Sequence, residues 1–259
     1  MSGARLFFGL LLALLAVDRA EAGEFIQFKS DGTTLTGYLA RPDGTGPFPA
    51  VVVLHGCGGF HSSMLTWTDA LARWGYVALG VDSFGPRGIS ANCGSFPQQP
   101  GDGFAALHHL VGLPFVRADR VALMGFSMGG FSTLTSLEQG SIGALFPDKF
   151  RAGIAFYPMC RGSSGLMTVP TLGLIGREDD WTPAAGCEDM VAGRAGPAGD
   201  RSNVKLIVYP GAYHAYDLTD LGLSPKGFEF LGHHLEYNEA ATRDSYLQVR
   251  EFLKRTLSD

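Results

Sequence analysis

Residues 121–131 read VALMGFSMGGF. A run of apolar, strand-like residues stops at Ser127, which stands between Gly125 and Gly129. With glycine at 36 of 259 positions, a Gly-x-Ser-x-Gly match arises by chance about once in three chains of this make-up. The motif therefore acquires meaning only from its surroundings. A serine held in a strained strand-to-helix turn needs neighbours without side chains; Gly125 and Gly129 supply that clearance, and Gly130 extends it.

Working outward, the chain carries short apolar runs over 50–56, 76–82, 120–125, 151–158, 170–176 and 204–211, each closed by Gly, Pro, Asp or His. Runs apolar on both faces suit a parallel sheet covered on both sides. Helical patterns fall between or after them, over 64–75, 103–112, 128–139, 184–193 and 239–257. This alternation predicts an α/β fold of right-handed βαβ units with helices on both faces of a mostly parallel sheet. The opening stretch EFIQFKSDGTTLTGYLARP turns at Asp31-Gly32 and predicts an antiparallel N-terminal hairpin. Ser127 then sits beyond the carboxyl end of a buried strand, where ligands bind in open α/β sheets. The following helix start favours negative charge at the serine oxygen.

A serine hydroxyl needs a base, and the base needs a group to hold its tautomer. On such a sheet the expected chain order is Ser, then an acid, then His, each past a later strand. LIGREDDWTP after the strand at 170–176 offers Glu178, Asp179 and Asp180; VYPGAYHAYD after the next offers His214. Asp180 is expected to cap the helix that begins near Pro183, which leaves Asp179 for the histidine. The bland alternative makes Asp179 the cap and His214 a turn residue. For an oxyanion, the backbone N–H of Met128 is one donor. The glycine-rich loop LHGCGGF (54–60) supplies the second, assigned to the Cys57 N–H. Adjacent pairs His108-His109 and His233-His234 point to different faces. Neither pair makes a metal site, and solvated or capping roles are expected; the second pair is placed in a polar loop or helix start. No metal and no organic cofactor is implied.

The first 22 residues carry Arg5, a 12-residue apolar core (Leu6–Val17) and the Ala20-Glu21-Ala22 cleavage pattern. That core is too short for the ~20 residues that cross a bilayer. The segment 1–22 is expected to be a signal peptide, the mature chain to start at Gly23 as a single domain over 23–259, and the protein to be exported, periplasmic or secreted. The remaining alternative is an uncleaved membrane anchor. A formal net charge of −5 argues against nucleic acid and anionic membranes as partners. Oligomeric state is not legible. Cys57, Cys93, Cys160 and Cys187 permit three pairings. Cys160–Cys187 is favoured, because each follows a strand end in the C-terminal half, and this leaves Cys57–Cys93.

Taken together, LHGCGGF, GVDSFGPRG, MGFSMGG, AFYPMC, LIGREDDWTP and YPGAYHAYD resemble the dienelactone hydrolase family of the α/β-hydrolase fold, in order along nearly the whole mature chain. The resemblance implies a hydrolase acting on a small ester or lactone, with Asp179 as the acid and His214 as the base. It also points to Arg87 as holding a substrate carboxylate, the other reading of Arg87 being a structural salt bridge or loop hydrogen bonds. The namesake enzymes carry a cysteine nucleophile where this chain has Ser127, which weakens dienelactone as the substrate but not hydrolysis. Trp181 and Tyr213 flank the acid and the base and are candidate pocket residues. Two other functions stay open: a peptidase on the same fold and a non-catalytic exported binding protein. Specificity is expected in the loops 83–102 and 215–238, the latter as a lid or ordered cap.

Overall fold

Val51, Val52, Val53 and Leu54 are completely buried, and so are Val121, Ala122, Leu123 and Met124. Such runs can only lie in the middle of a sheet covered on both faces. The structure, a computed structural model, describes residues 23–91, 93–94, 98–194, 196–219 and 226–258. The signal peptide expected over 1–22 lies outside these residues.

The opening hairpin pairs β1 (Glu24–Ser30) with β2 (Thr33–Ala40), and both Asp31 and Gly32 take positive φ in its turn. Six further strands complete the sheet: β3 (Phe48–Leu54), β4 (Val77–Asp82), β5 (Val116–Phe126), β6 (Ala152–Phe156), β7 (Thr171–Gly176) and β8 (Val204–Tyr209). Their order is β1-β2-β4-β3-β5-β6-β7-β8, with β2 antiparallel to β4 and every later pairing parallel. The order reverses around β3, so the loops after β3 and β5 emerge side by side. A crevice at such a switch point is where a ligand site is built.

Among the described residues five α-helices cover the sheet: α1 (Ser62–Arg73), α2 (Gln99–Val111), α3 (Met128–Leu137), α4 (Ala184–Val191) and α5 (Glu239–Leu257). On β5, Phe126 packs against Trp67 of α1, while the adjacent Gly125 faces α3. The pleat thus sends α1 and α3 to opposite faces. Trp67 stacks on Tyr246 at 4.0 Å, which joins α1 to α5 on one side. The last helix follows the sequence pattern over 239–257. Asn238 caps it through a 3.0 Å bond from the Ala241 N–H, and Ala241, Ser245, Val249 and Phe252 form its buried stripe.

Three elements differ from expectation, and the first is β5, which begins at Val116 rather than 120. Helix α2 starts at Gln99 rather than 103, because Pro100 fits a helix's first turn and Asp102 favours its N-terminus. Within the stretch 215–238, β9 (Phe228–Phe230) and β10 (His233–Leu235) form a small hairpin, so His233 and His234 lie in a strand. Three-residue strands give too little alternation to read.

Candidate active site

The end of β5 and the start of α3 approach their neighbours too closely for side chains. A Cβ at Gly125 would lie 2.1 Å from the Gly129 carbonyl oxygen, and one at Gly129 would lie 2.4 Å from that of Leu54. The two glycines of the motif let α3 rest on the ends of β5 and β3. The serine between them takes φ 52° and ψ −111°, a conformation costly for a residue with a side chain. It is held there by its N–H donating to the Phe156 carbonyl (2.9 Å) and its own carbonyl accepting from the Phe131 N–H (2.9 Å).

This turn aims Ser127 Oγ at His214 Nε2, 2.9 Å away, and His214 Nδ1 lies 2.8 Å from Asp179 Oδ2. Asp179 and His214 are both buried. Asp179 Oδ1 accepts the N–H groups of Trp181 (3.0 Å) and Thr182 (2.8 Å), so each carboxylate oxygen has a separate task. The Thr182 hydroxyl lies 2.9 Å from Asp179 Oδ2, 3.2 Å from His214 Nδ1 and 3.0 Å from the Tyr157 carbonyl. The loops carrying acid and base are tied together, the Glu178 N–H donating to the Ala212 carbonyl at 3.0 Å. Since Nδ1–H donates to the carboxylate, Nε2 is left to accept from the serine hydroxyl.

Asp180 does not cap α4; Pro183 occupies that position without a side-chain bond. The Asp180 carboxylate turns outward instead. It accepts the His234 N–H at 3.3 Å and approaches His233 Nδ1 at 3.5 Å, fastening the β9–β10 hairpin beside the site. His234 bridges Glu229 and Glu236, each at 3.0 Å, and these carboxylates raise its pKa. On α2, exposed His108 pairs with Asp148 at 2.8 Å.

Cys57 lies in the loop after β3, and Met128 follows Ser127 past the end of β5. A Cβ at Gly56 would lie 3.3 Å from the Ser127 Cβ, so the loop after β3 runs against the nucleophile turn. Met128 is the first residue of α3, whose opening N–H groups have no partner within the helix. Cysteines 57 and 93 form one disulfide, 160 and 187 the other. The first joins the loop after β3 to the loop after β4.

Arg87 does not reach the site. Its guanidinium forks onto both oxygens of Asp102 (2.8 and 2.7 Å) and bonds the Ser83 carbonyl at 2.9 Å. Asp102 is buried and also accepts from the Ser30 hydroxyl at 2.7 Å. A buried carboxylate commands a counter-charge, and Arg87 supplies it. Arg87 lines a separate cavity of about 630 Å³ bordered by Ser30, Phe104 and Phe146. Tyr213 packs on His234 with ring centroids 4.4 Å apart and is not among the described residues lining the recesses at Ser127. Trp181 lines both of those recesses and lies 5.1 Å from the His214 ring.

Several supports carry no readable sequence signal. Buried His55 accepts the Ser83 N–H at Nε2 (3.2 Å), with Nδ1 2.6 Å from the Gly56 carbonyl. That pattern fixes a neutral imidazole with the proton on Nδ1, and burial lowers its pKa. Gln99 donates to the His55 carbonyl (2.9 Å) and accepts from Ser132 (3.0 Å), bracing the same loop. Beneath His214, Tyr157 packs at 4.8 Å and donates its hydroxyl to buried Asp217 at 2.7 Å. Trp67 Nε1 donates to the other Asp217 oxygen at 2.9 Å.

A nucleophile at a strand-to-helix elbow, with acid and base on later strands, is the arrangement of an α/β hydrolase. The model of the dienelactone hydrolase family matches residues 35–257, and the chain belongs to that family. A Bradyrhizobium sp. protein described as a "Probable 2-oxo-3-(5-oxofuran-2-ylidene)propanoate lactonase" is 25% identical over 219 residues, covering 75% of this chain and 84% of its own. The crystal structure of a dienelactone hydrolase-like promiscuous phosphotriesterase from metagenomic libraries matches with a TM-score of 0.72 at 20% identity, covering 93% of this chain and all of that one. The dipeptidyl peptidase 4 structure from Porphyromonas gingivalis shares the fold over 92% of this chain but 36% of its own, with a TM-score of 0.65 and 20% identity.

Proposed function

We propose that the protein hydrolyses a carboxylic ester or lactone through an acyl-enzyme on Ser127. The observation that carries this reading is the unbroken chain from Asp179 Oδ2 through both ring nitrogens of His214 to Ser127 Oγ, with both steps under 3 Å. Ser127 Oγ attacks the acyl carbon while its proton passes to His214 Nε2. The N–H groups of Cys57 and Met128 take the oxyanion, each such donor being worth roughly 3–4 kcal/mol. The carbon–oxygen bond to the alcohol breaks, and the leaving oxygen takes the proton from His214. A water then gives its proton to His214, attacks the acyl carbon and releases the acid, and Ser127 recovers its hydrogen. Asp179 holds the tautomer and faces the imidazolium. None of these steps needs a metal or an organic cofactor.

The two disulfides support export, since such bonds persist in oxidising compartments. No helix among the described residues is long and apolar enough to cross a membrane. With the apolar leader ending at Ala20-Glu21-Ala22, the reading is of a protein cleaved after residue 22 and released.

Intact-mass spectrometry after a fluorophosphonate tests the assignment. One adduct is expected on the protein and none on Ser127→Ala. That variant should lose nitrophenyl acetate hydrolysis by at least about 10³-fold with thermal unfolding nearly unchanged. Retained activity in Ser127→Ala would refute the nucleophile. An unlabelled, folded wild-type protein would favour the binding-protein alternative, and preference for aminoacyl nitroanilides over nitrophenyl esters would favour a peptidase.

A further inference from the structure

Ser127 stands on the border of two recesses that share Cys57, Cys93 and Trp181. The cystine and the indole are their common walls. One recess, about 110 Å³, contains His214 and is lined by Met64, Tyr157, Leu218 and Leu235. The other, about 310 Å³, contains the start of α3 and is lined by Phe131, Met159, Leu231 and His233.

Resting on the hydrolase reading, we infer that the substrate is an uncharged ester, with a larger apolar acyl group in the second recess and a small alcohol in the first. The orientation follows from the chemistry. The leaving oxygen must receive its proton from His214 Nε2, so the alcohol belongs in the recess that His214 lines. The acyl group then points past Met128 into a space nearly three times larger.

The charge follows from the lining. Neither recess has a lysine or arginine among its described residues. Arg87 is committed to Asp102 in another cavity. The groove outside Trp181 adds Arg161, but with it Asp180 and Asp189. A carboxylated substrate would be desolvated here without a lysine or arginine to pair with, whereas an apolar one loses nothing.

The mouth of the larger recess points the same way. Seven large hydrophobic residues stand exposed among the described residues, and Met159, Phe228, Phe230 and Leu231 are four of them. Met159 (44% exposed) and Leu231 (60%) line the larger recess, and Phe230 lines the smaller. An apolar rim of this kind marks a binding surface for an apolar chain.

Ester pairs of matched carbon count test the inference. At pH 8, kcat/KM for methyl hexanoate should exceed that for monomethyl adipate by at least about 100-fold. It should exceed that for the isomer pentyl acetate by at least about tenfold. Leu231→Lys places a cation at the rim and should narrow the first ratio about fivefold, more than Leu231→Gln, which removes the same apolar surface without adding charge. Equal or faster turnover of monomethyl adipate would overturn the uncharged substrate, and faster turnover of pentyl acetate would overturn the orientation. Failure of the hydrolase reading looks different: no ester is turned over and no fluorophosphonate adduct forms. In that event calorimetry on Ser127→Ala still decides the recesses, with binding of methyl hexanoate but not monomethyl adipate supporting them and the reverse refuting them.

Discussion

Asp179→Asn isolates what the carboxylate does for His214. In the wild-type protein Oδ1 accepts two backbone N–H groups, from Trp181 and Thr182, and Oδ2 faces His214 Nδ1 at 2.8 Å. Asparagine has a single acceptor oxygen. If that oxygen stays with the two N–H groups, the amide NH₂ points at Nδ1 and the imidazole must move its proton to Nε2. The histidine then confronts Ser127 with a donor and cannot take its proton. If the amide turns over, the correct tautomer survives, but an NH₂ group meets two backbone donors. Each buried group so stranded costs about 1–3 kcal/mol, so the first arrangement prevails. The expected loss in kcat for nitrophenyl acetate is about 10⁴-fold, the size seen where a triad loses its tautomer, with little change in unfolding temperature. Asp180→Asn is the control: its carboxylate is half exposed and holds the hairpin, so kcat should change less than about threefold. A loss under tenfold in Asp179→Asn, or a greater loss in Asp180→Asn, would refute this assignment of the two carboxylates.

Three further expectations follow from the same structure. Both disulfides close loops of similar length, 36 and 27 residues apart in sequence, and removing either should cost up to about 4 kcal/mol; Cys93→Ser should also lower kcat because it releases the loop carrying Cys57, whereas Cys187→Ser should leave kcat largely intact, as chemical denaturation and ester assays will read. Asp217→Leu strands the Tyr157 hydroxyl and the Trp67 N–H and should destabilise the protein by about 3 kcal/mol. Asp217→Asn should cost less in urea unfolding, since Tyr157 can rotate its hydroxyl to accept from the amide. The His234 pKa is raised by Glu236 and Glu229, so its contribution is full below the unfolded value near 6.5 and is lost as pH rises through the folded one. Amide exchange over 228–235, corrected for intrinsic rates, should show less protection at pH 9 than at pH 6, and His234→Gln should abolish the difference.

The sheet and its helices were legible because each central strand carries an unbroken apolar run, such as Val121–Met124 in β5, and each break carries Gly, Pro or a polar turn. The order Ser127, Asp179, His214 was legible for a related reason: each stands just past such a strand, on one rim. Arg87 stayed open between a substrate carboxylate and a structural salt bridge because its neighbour in space, Asp102, lies 15 residues on, in a helix whose start the pattern placed four residues late. The glycine and proline of DSFGPRG announce a loop but say nothing of which carboxylate the arginine meets. Gln99, His55 and Asp217 were illegible because their work is done by bonds across the sheet, between segments 28 to 150 residues apart. The pairing of hydrogen-bonding groups over such separations has no local periodicity.

Asp179 and Asp180 show how much one residue of offset decides. Successive carboxylates in the loop after β7 point to opposite sides: the first inward to the base, the second outward to the β9–β10 hairpin. That hairpin carries Phe230, Leu231 and His233 to the walls of the two recesses. Leu235 at its end also pairs with His214 in an isolated bridge. The loop that orients the base thus also holds the cover of the substrate space. A change in the hairpin should therefore alter which ester is accepted while the hydrogen-bond chain to Ser127, anchored on β5, β7 and the loop after β8, stays intact. On the proposed placement of the ester, specificity and chemistry are separable because they hang from opposite sides of one short loop.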